Sequence, residues 1–199
     1  MTDTVIFKTS GTSMSTPADW NNAANTVEAI GEGGNGFTIV SALSGSGGGG
    51  GAYAKATNIT LSGTIAYQIG TGGSSTTTQF KDGSTLVADY GRTPTVYSAG
   101  GAAGLEPNCV GGVKTSGGPG GTGGGGNYGG AGGGGSGGNI GIGKTGGGAP
   151  GSDTAGGAGG AGSNGGASGN GANRSRERRL PLSNGPERRV LARSLRRLG

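Results

Sequence analysis

Glycine makes up one residue in four of this chain, 55 of 199, and 33 of these glycines lie between residues 111 and 171. Such a stretch has almost no side chains, so it cannot bury enough apolar surface to offset the entropy lost when its backbone is ordered. Either it lacks fixed structure, or hydrogen bonds between the backbones of neighbouring extended segments hold it. The choice between these two states decides the fold of the chain.

The glycines recur with a period of three. Glycine occupies every third position from residue 117 to residue 141, and the same frame resumes between residues 156 and 171. Three residues per turn is the period of the polyproline-II helix, but collagen also needs many prolines, and the tract has only Pro119 and Pro150. The pattern favours short polyglycine-II helices packed side by side, because glycine lets backbones approach closely. A flexible Gly/Ser linker is the alternative, although about sixty residues is long for a passive tether.

The N-terminal part has the composition of short β-strands separated by turns. The pattern predicts strands at residues 5–7, 26–30, 37–40, 52–55, 58–61, 65–69, 76–81 and 85–88. Asp82-Gly83 is a turn signal, and only residues 18–24 have a helical period. We expect a small antiparallel β-sandwich or jelly-roll-like unit. Its expected core anchors are Trp20, Phe7, Phe37, Ile39, Tyr67 and Phe80.

The predicted fold class is therefore mainly β, in three parts. Residues 1–105 form a β-rich domain with a glycine insertion near 44–51, and residues 106–173 form a glycine-rich polyglycine-II segment. Residues 174–199 are an arginine-rich tail that we expect to lack fixed structure unless a polyanion or a partner subunit orders it. A shifted reading frame, or a terminal segment that is not native to this protein, would also explain the composition of this tail.

The basic charge of the chain lies entirely in the tail. Residues 1–173 have a net charge of −2 and the tail has +7, which together give +5. A block of this kind binds phosphates or other anionic surfaces by releasing counterions. The candidate polyanion-binding residues are Arg174, Arg176, Arg178, Arg179, Arg188, Arg189, Arg193, Arg196 and Arg197.

The sequence offers little support for catalysis. The chain has no histidine, which is the commonest general base and metal ligand. Residues 138–145 match the P-loop pattern, but the glycine runs on either side can supply neither the strand nor the helix that a P-loop needs. We therefore expect a protein that is not an enzyme, with no catalytic residues, no cofactor and no metal site.

The remaining signals concern redox state and location. The single cysteine, Cys109, excludes an intrachain disulfide, and we expect a partly exposed thiol without a role. The N-terminus lacks the basic and apolar regions of a secretory signal, and no run approaches the roughly twenty apolar residues of a membrane span. We expect a protein that is made in the cytoplasm and acts elsewhere by assembly or release.

Several sequence blocks resemble a known group of proteins. Residues 17–31 read PADWNNAANTVEAIG, and glycine runs, GAYAK at 51–55, NITL at 58–61 and IAYQIG at 65–70 follow. Over about residues 12–170 the chain resembles the glycine-rich proteins encoded among the tail genes of bacteriophages and prophages. The C-terminal strand that closes such a domain is absent from the sequence, and the arginine-rich tail replaces it.

The resemblance implies a structural or host-recognition protein of the virion. The implied protein is similar to tail-fibre tip adhesins, in which a polyglycine-II sandwich displays variable loops. The implied partners are other virion tail proteins and a bacterial surface receptor, either a polysaccharide or an outer-membrane protein. A homotrimer is the natural state of such a tip.

Exposed residues that interrupt the glycine pattern are the candidate receptor-binding residues, because a ligand can distinguish only what projects from a uniform scaffold. These residues are Asn127, Tyr128, Asn139, Ile140 and Ile142. Two other classes of function stay open. An ice-binding protein would use a flat face such as Ala155, Ala158, Ala161 and Ala167. A nucleic-acid-binding protein would act through the tail alone.

Overall fold

The computed structural model of the chain describes residues 4–38, 43–125, 129–150 and 157–163. These residues are mainly β, as predicted, with two antiparallel sheets and one short 3₁₀ helix at Glu106–Asn108. The strands are β1 Ser13–Ser15, β2 Thr26–Ile30, β3 Tyr53–Thr57, β4 Thr64–Gln68, β5 Thr78–Phe80, β6 Leu86–Ala88 and β7 Val113–Thr115. One sheet has the order β1-β4-β5-β6 and the other the order β2-β3-β7.

The two sheets share a thin core. In the second sheet β2 pairs with β3 so that Ala29 lies opposite Ala54, and both residues are buried. They pack with Leu86 and Ala88 of the first sheet, which joins the two sheets in one apolar cluster. A second cluster of Ile59, Leu61 and Ile65 lies beside it, and Phe80 packs against both clusters. Four of the nine buried residues in these two clusters are alanine, so the sheets bury little apolar area for their number of strands.

The predicted strands at 26–30, 65–69 and 85–88 are present with small shifts, and the turn at Asp82-Gly83 connects β5 to β6. Residues 5–7 and 58–61 are not strands, which corrects that prediction. In residues 58–61, two backbone N–H groups donate to side chains instead of to a neighbouring strand. The amide oxygen of Asn25 accepts from the Ile59 N–H at 2.8 Å, and that of Asn22 accepts from the Leu61 N–H at 3.0 Å. Residues 18–24, which include Asn22, form turns and not a helix.

The predicted core anchors are only partly correct. Phe7 is 87% exposed, so the prediction that it anchors the core is wrong. No described residue forms a backbone hydrogen bond with residues 5–7. The side chains of Trp20, Phe37, Tyr67 and Phe80 are half-buried, and Ile39 lies outside the described residues. The largest fully buried side chain is that of Tyr53, which the pattern did not single out.

Segments outside the sheets, most of them rich in glycine, bind one another through their backbones. We call this assembly the glycine lattice, and its eight segments are residues 31–37, 44–52, 89–92, 100–104, 116–124, 130–137, 143–149 and 157–163. Donors to one neighbour are usually three residues apart. For example, the N–H groups of Ser44, Gly47 and Gly50 donate to the carbonyls of Gly124, Gly121 and Gly118 at 2.9–3.0 Å.

Segment 44–52 lies at the centre of the glycine lattice. It exchanges hydrogen bonds with five other segments, which are 31–37, 89–92, 100–104, 116–124 and 130–137. Segments on both sides of the predicted boundary between residues 105 and 106 are therefore bonded to each other, and β7 also pairs with β3. The division into two domains at this point stays a prediction.

Close approach between backbones explains why the lattice is built from glycine. A Cβ atom on Gly47 would lie 1.9 Å from the carbonyl oxygen of Gly132, and one on Gly118 would lie 2.1 Å from that of Lys144. Both distances are far below any real van der Waals contact. Some alanines of the lattice, such as Ala102, Ala158 and Ala161, lie at exposed positions, where a Cβ atom meets no neighbouring backbone.

The glycine lattice has two different ends. At one end, which we call the sheet end, segment 31–37 follows β2, 44–52 leads into β3, 89–92 follows β6 and 116–124 follows β7. The opposite end, the loop end, carries residues 93–99, which connect segments 89–92 and 100–104. Side chains at the two ends can therefore contact different partners.

Candidate functional site

Residues 93–99 form a fixed loop at the loop end. The Ser46 hydroxyl donates to the Val96 carbonyl at 3.0 Å, the Gly123 N–H donates to the Tyr97 carbonyl at 2.9 Å, and the Asn35 N–H donates to the Thr93 hydroxyl at 3.0 Å. Three lattice segments thus hold the loop, while Val96 is 47% and Tyr97 36% exposed. An aromatic and an aliphatic side chain on a fixed support lose little entropy when a ligand binds.

The segment before this loop, residues 89–92, is held at its sheet end by the buried carboxylate of Asp89. Asp89 is 2% exposed, and its Oδ2 accepts from the Arg92 guanidinium at 2.6 Å, the Leu105 N–H at 2.8 Å and the Asn108 amide at 3.0 Å. Burial acts to raise the pKa of Asp89, but the hydrogen bonds from Arg92, Leu105 and Asn108 outweigh it and hold this pKa below the usual value. The Arg92 guanidinium also lies 4.3 Å from the centroid of the Tyr90 ring. These polar groups fix segment 89–92 to the 3₁₀ helix.

Glu32 has a similar structural role. It is 6% exposed, its Oε2 accepts from the Ser74 hydroxyl at 2.8 Å, and its Oε1 accepts from the Thr76 N–H at 2.9 Å. The carboxylate therefore ties the loop before β5 to the first lattice segment. Among the described residues, no group of three or more His, Cys, Asp or Glu side chains is placed to hold a metal ion.

The burial of Cys109 differs from the prediction. The thiol is in the core, 5% exposed, and packs with Leu86 and Ala88. Burial raises its pKa. We therefore correct the expectation of a partly exposed thiol, since Cys109 fills space between β6 and the 3₁₀ helix.

Three predicted receptor-binding residues lie in one turn at the sheet end. Asn139, Ile140 and Ile142 belong to residues 138–142, which connect segments 130–137 and 143–149. Ile140 is 78% and Ile142 63% exposed. The turn is anchored where the Thr115 hydroxyl donates to the Gly138 carbonyl at 2.8 Å. This turn overlaps the P-loop match, and an extended lattice segment follows it where a P-loop would need a helix.

The other predicted residues fall outside the described ranges. These are Asn127 and Tyr128, the two alanines Ala155 and Ala167, and the nine arginines Arg174, Arg176, Arg178, Arg179, Arg188, Arg189, Arg193, Arg196 and Arg197. The described members of the receptor-binding set therefore lie together, at the end of the lattice opposite the loop that carries Tyr97.

Val96 and Tyr97 were not among the predicted receptor-binding residues. A signal for them exists, because residues 92–99 form an eight-residue run without glycine between Gly91 and Gly100. Such a run inside a glycine-rich region marks a place where the chain leaves the lattice.

Comparison with models of protein families, with curated proteins and with solved structures gave no match. None of the helices in the described ranges has the length and apolar character needed to cross a membrane.

Proposed function

We propose that this chain is a structural and host-recognition protein of a bacteriophage virion, placed at a tail fibre or tail tip and without enzymatic activity. The resemblance of residues 12–170 to glycine-rich phage tail proteins supports this function. Its partners are other virion tail proteins and a bacterial surface receptor, which is a polysaccharide or an outer-membrane protein. The assembly is a homotrimer.

The proposal includes a finer description of the fold. The eight lattice segments are polyglycine-II helices, which together with the two small sheets form one sandwich-like unit. Hydrogen-bond donors three residues apart support this description, because every third N–H group of a helix with three residues per turn points in the same direction. A rigid scaffold of this kind suits a protein that displays loops.

The loop at residues 93–99 carries the functional proposal. Tyr97 and Val96 are exposed on a backbone that lattice segments hold in place. An aromatic ring gives a large contact area and can stack on the faces of sugar rings. Asn127 and Tyr128, which lie outside the described residues, stay proposed receptor-binding residues. The turn with Ile140 lies about 20 to 25 Å away, the length of a seven- or eight-residue polyglycine-II segment, so it is a separate surface.

Adsorption of labelled protein to a panel of bacterial strains tests the proposal. We expect the double variant Val96→Ser/Tyr97→Ser to lose about tenfold or more of its binding to a susceptible strain, the loss typical of removing a central aromatic contact. The matched control is Ile140→Ser/Ile142→Ser, which removes a similar apolar area at the sheet end and keeps binding. Loss of adsorption in the control alone would place recognition at the sheet end. Absence of adsorption to every strain would contradict host recognition.

A second candidate function is polyanion binding by the arginine-rich tail. The separation of +7 in residues 174–199 from −2 in the rest of the chain favours it. Retention on DNA should then fall steeply with salt and disappear when residues 174–199 are deleted. Retention that is unchanged by this deletion would rule out the tail as the binding element.

A further inference from the structure

At the loop end, an exposed asparagine lies beside the loop that carries Tyr97. The Asn35 N–H donates to the hydroxyl of Thr93, the first residue of the loop at 93–99, at 3.0 Å. Tyr97 follows four residues later, so its Cα lies at most about 14 Å from that of Thr93, at about 3.6 Å per residue. Asn35 and Tyr97 are both exposed, so one extended ligand can contact both side chains.

A second contact joins the same two segments. The Ser46 carbonyl accepts from the Phe37 N–H at 2.8 Å, and the Ser46 hydroxyl donates to the Val96 carbonyl at 3.0 Å. Ser46 therefore holds one residue from each segment, and it is itself 3% exposed. We call the surface around these contacts the loop-end patch, and its residues are Asn35, Phe37, Thr93, Val96 and Tyr97.

The side-chain amide of Asn35 is fixed by packing and is available to a ligand. No described residue forms a hydrogen bond with this amide. Gly73, in the loop before β5, lies directly against it, because a Cβ on Gly73 would be 2.1 Å from Asn35 Nδ2 and 2.4 Å from its Cγ. The φ of Gly73 is +77°, which also favours glycine at this position. An exposed amide offers a ligand two donor protons and an acceptor oxygen.

The surroundings of the loop-end patch carry no charge. Residues 33–38, 71–75 and 93–99 contain no Asp, Glu, Lys or Arg. The charged residues at their borders are paired inside the protein, since buried Glu32 accepts from the loop before β5 and Arg92 binds Asp89. A charged ligand would lose hydration here and meet no opposite charge on these residues.

We propose that the loop-end patch binds an uncharged polysaccharide of the bacterial surface. The ring of Tyr97 packs on the apolar face of a sugar ring. The Asn35 amide and the Thr93 hydroxyl exchange hydrogen bonds with sugar hydroxyls, which are both donors and acceptors. Uncharged sugars offer ring faces and hydroxyls alone, which is the chemistry that the patch matches. The inference rests on the proposed host-recognition function and narrows its receptor.

Adsorption of the labelled full chain to a strain that it recognises tests the class of ligand. Cells are first treated with periodate, which cleaves the vicinal diols of sugars, or with a protease. Binding is measured at about 1 M salt, where the arginine-rich tail no longer binds polyanions. We expect periodate to abolish adsorption and the protease to leave it unchanged. Polysaccharide extracted from the strain and not retained by an anion exchanger should compete, and the retained fraction should not.

Asn35→Ala tests the patch itself. We expect adsorption about tenfold weaker, because hydrogen bonds to the ligand are lost, and an unchanged thermal midpoint, because the amide has no partner among the described residues. The matched control is Asn58→Gly. Asn58 is also exposed, no described residue binds its amide, and its φ of +56° suits glycine. It follows β3, away from the loop end, so this control should adsorb normally.

A pair of glycine variants tests the support of the amide. Gly73→Ala displaces the Asn35 side chain and should weaken adsorption as Asn35→Ala does. Gly72→Ala should leave adsorption unchanged, because its Cβ would lie 3.8 Å from the Gly33 carbonyl oxygen, an ordinary contact.

The other outcomes separate this inference from the function on which it rests. Adsorption that survives periodate and is lost after protease treatment would overturn the sugar ligand and leave host recognition standing, with a protein receptor. Competition by the retained, anionic fraction alone would overturn the uncharged ligand. Equal adsorption of Asn35→Ala and the natural protein would overturn the patch. Adsorption to no strain would contradict host recognition and the inference together.

Discussion

At the scale of single residues, Asp89 is the polar group most integrated into the fold. One carboxylate oxygen accepts hydrogen bonds from a guanidinium group, a backbone N–H and a side-chain amide, and thereby joins residues 89, 92, 105 and 108. An ion pair between exposed side chains adds little stability. Asp89 is buried, however, so removal of its negative charge leaves the surrounding hydrogen-bond donors without a charged acceptor.

Asp89→Asn should therefore destabilise the protein by about 2 to 3 kcal/mol at neutral pH, since hydrogen bonds to a buried charged group weaken or are lost. Thermal or urea unfolding measures this change. The matched control is Asp82→Asn, because Asp82 is exposed and accepts only from Ser84 and Thr85 in its own turn. An equal loss in both variants would contradict the structural role of Asp89.

The lowered pKa of Asp89 makes the stability of the protein depend on pH. The folded pKa of Asp89 is lowered, so its carboxylate contributes stability above the unfolded value of about 3.9, and the contribution is lost as the pH falls through the folded pKa. We expect unfolding temperatures of the natural protein and of Asp89→Asn to converge as the pH falls below about 4. A constant difference between them down to pH 2 would show that the effect is not electrostatic.

At the scale of elements, the lattice segments tolerate side chains on some positions and exclude them on others. A Cβ on Gly132 would lie 2.0 Å from the Ala158 carbonyl oxygen, whereas a Cβ on adjacent Gly133 would lie 3.6 Å from the Gly48 carbonyl oxygen. The first distance forces two segments apart, and the second is an ordinary contact.

Gly132→Ala and Gly133→Ala are thus a matched pair. We expect Gly132→Ala to lower the unfolding midpoint by about 4 °C or more, which corresponds to about 1 to 2 kcal/mol for a protein of this size, and Gly133→Ala to change it little. Differential scanning calorimetry measures both. Equal midpoints for the two variants would indicate that residues 130–137 are a linker.

Sequence patterns predicted some elements better than others, and the reason is physical. The strand at Thr26–Ile30 alternates apolar and polar residues, so its existence and buried face could be read directly. Strands β1 and β7 are only three residues long, which is too short for alternation to stand out from the surrounding sequence, so the pattern missed them. The period of three in residues 117–141 predicted extended segments, but glycine has no side chain, and so nothing in the sequence indicated that segment 116–124 would bond to segment 44–52.

The candidate site was less predictable than the fold. Ile140 and Ile142 were predicted as exposed interruptions of the glycine pattern, and their exposure is confirmed. Their position at the sheet end, opposite Tyr97, depends on the direction in which each segment runs, and direction is a property of the assembled lattice. A role of Ile140 and Ile142 in receptor binding is an untested prediction that competes with the proposed loop at residues 93–99, and adsorption of the Ile140→Ser/Ile142→Ser variant decides between the two.

At the scale of the whole molecule, the described chain is held more by backbone hydrogen bonds between glycine segments than by an apolar core. Among the described residues only twelve apolar residues are buried, and five of them are alanine. The lattice includes residues from 31 to 163, so its bonds connect positions far apart in the sequence. Formation of such contacts is slow and cooperative, because many loops close before the central segment is satisfied.

The arginine-rich tail should contribute nothing to this stability. Ordering its last dozen residues costs about 1.5 kcal/mol each, which offsets the roughly 6 to 12 kcal/mol available from burying Val190, Leu191, Leu195 and Leu198. Deletion of residues 174–199 should therefore leave the thermal midpoint within about 1 °C of the full chain. A fall of several degrees would mean that the tail is part of the folded unit.

The central claim is that glycine segments distant in sequence are hydrogen-bonded to one another in a register of three. Scalar couplings across hydrogen bonds, measured by NMR between an amide nitrogen and the carbonyl carbon that accepts from it, test this claim most directly. The account predicts couplings from Gly47 to Gly121, from Gly134 to Gly48 and from Gly117 to Gly104, as strong as those between β2 and β3. Couplings within the sheets but none between these glycines would contradict it, and would make the glycine-rich residues a flexible linker.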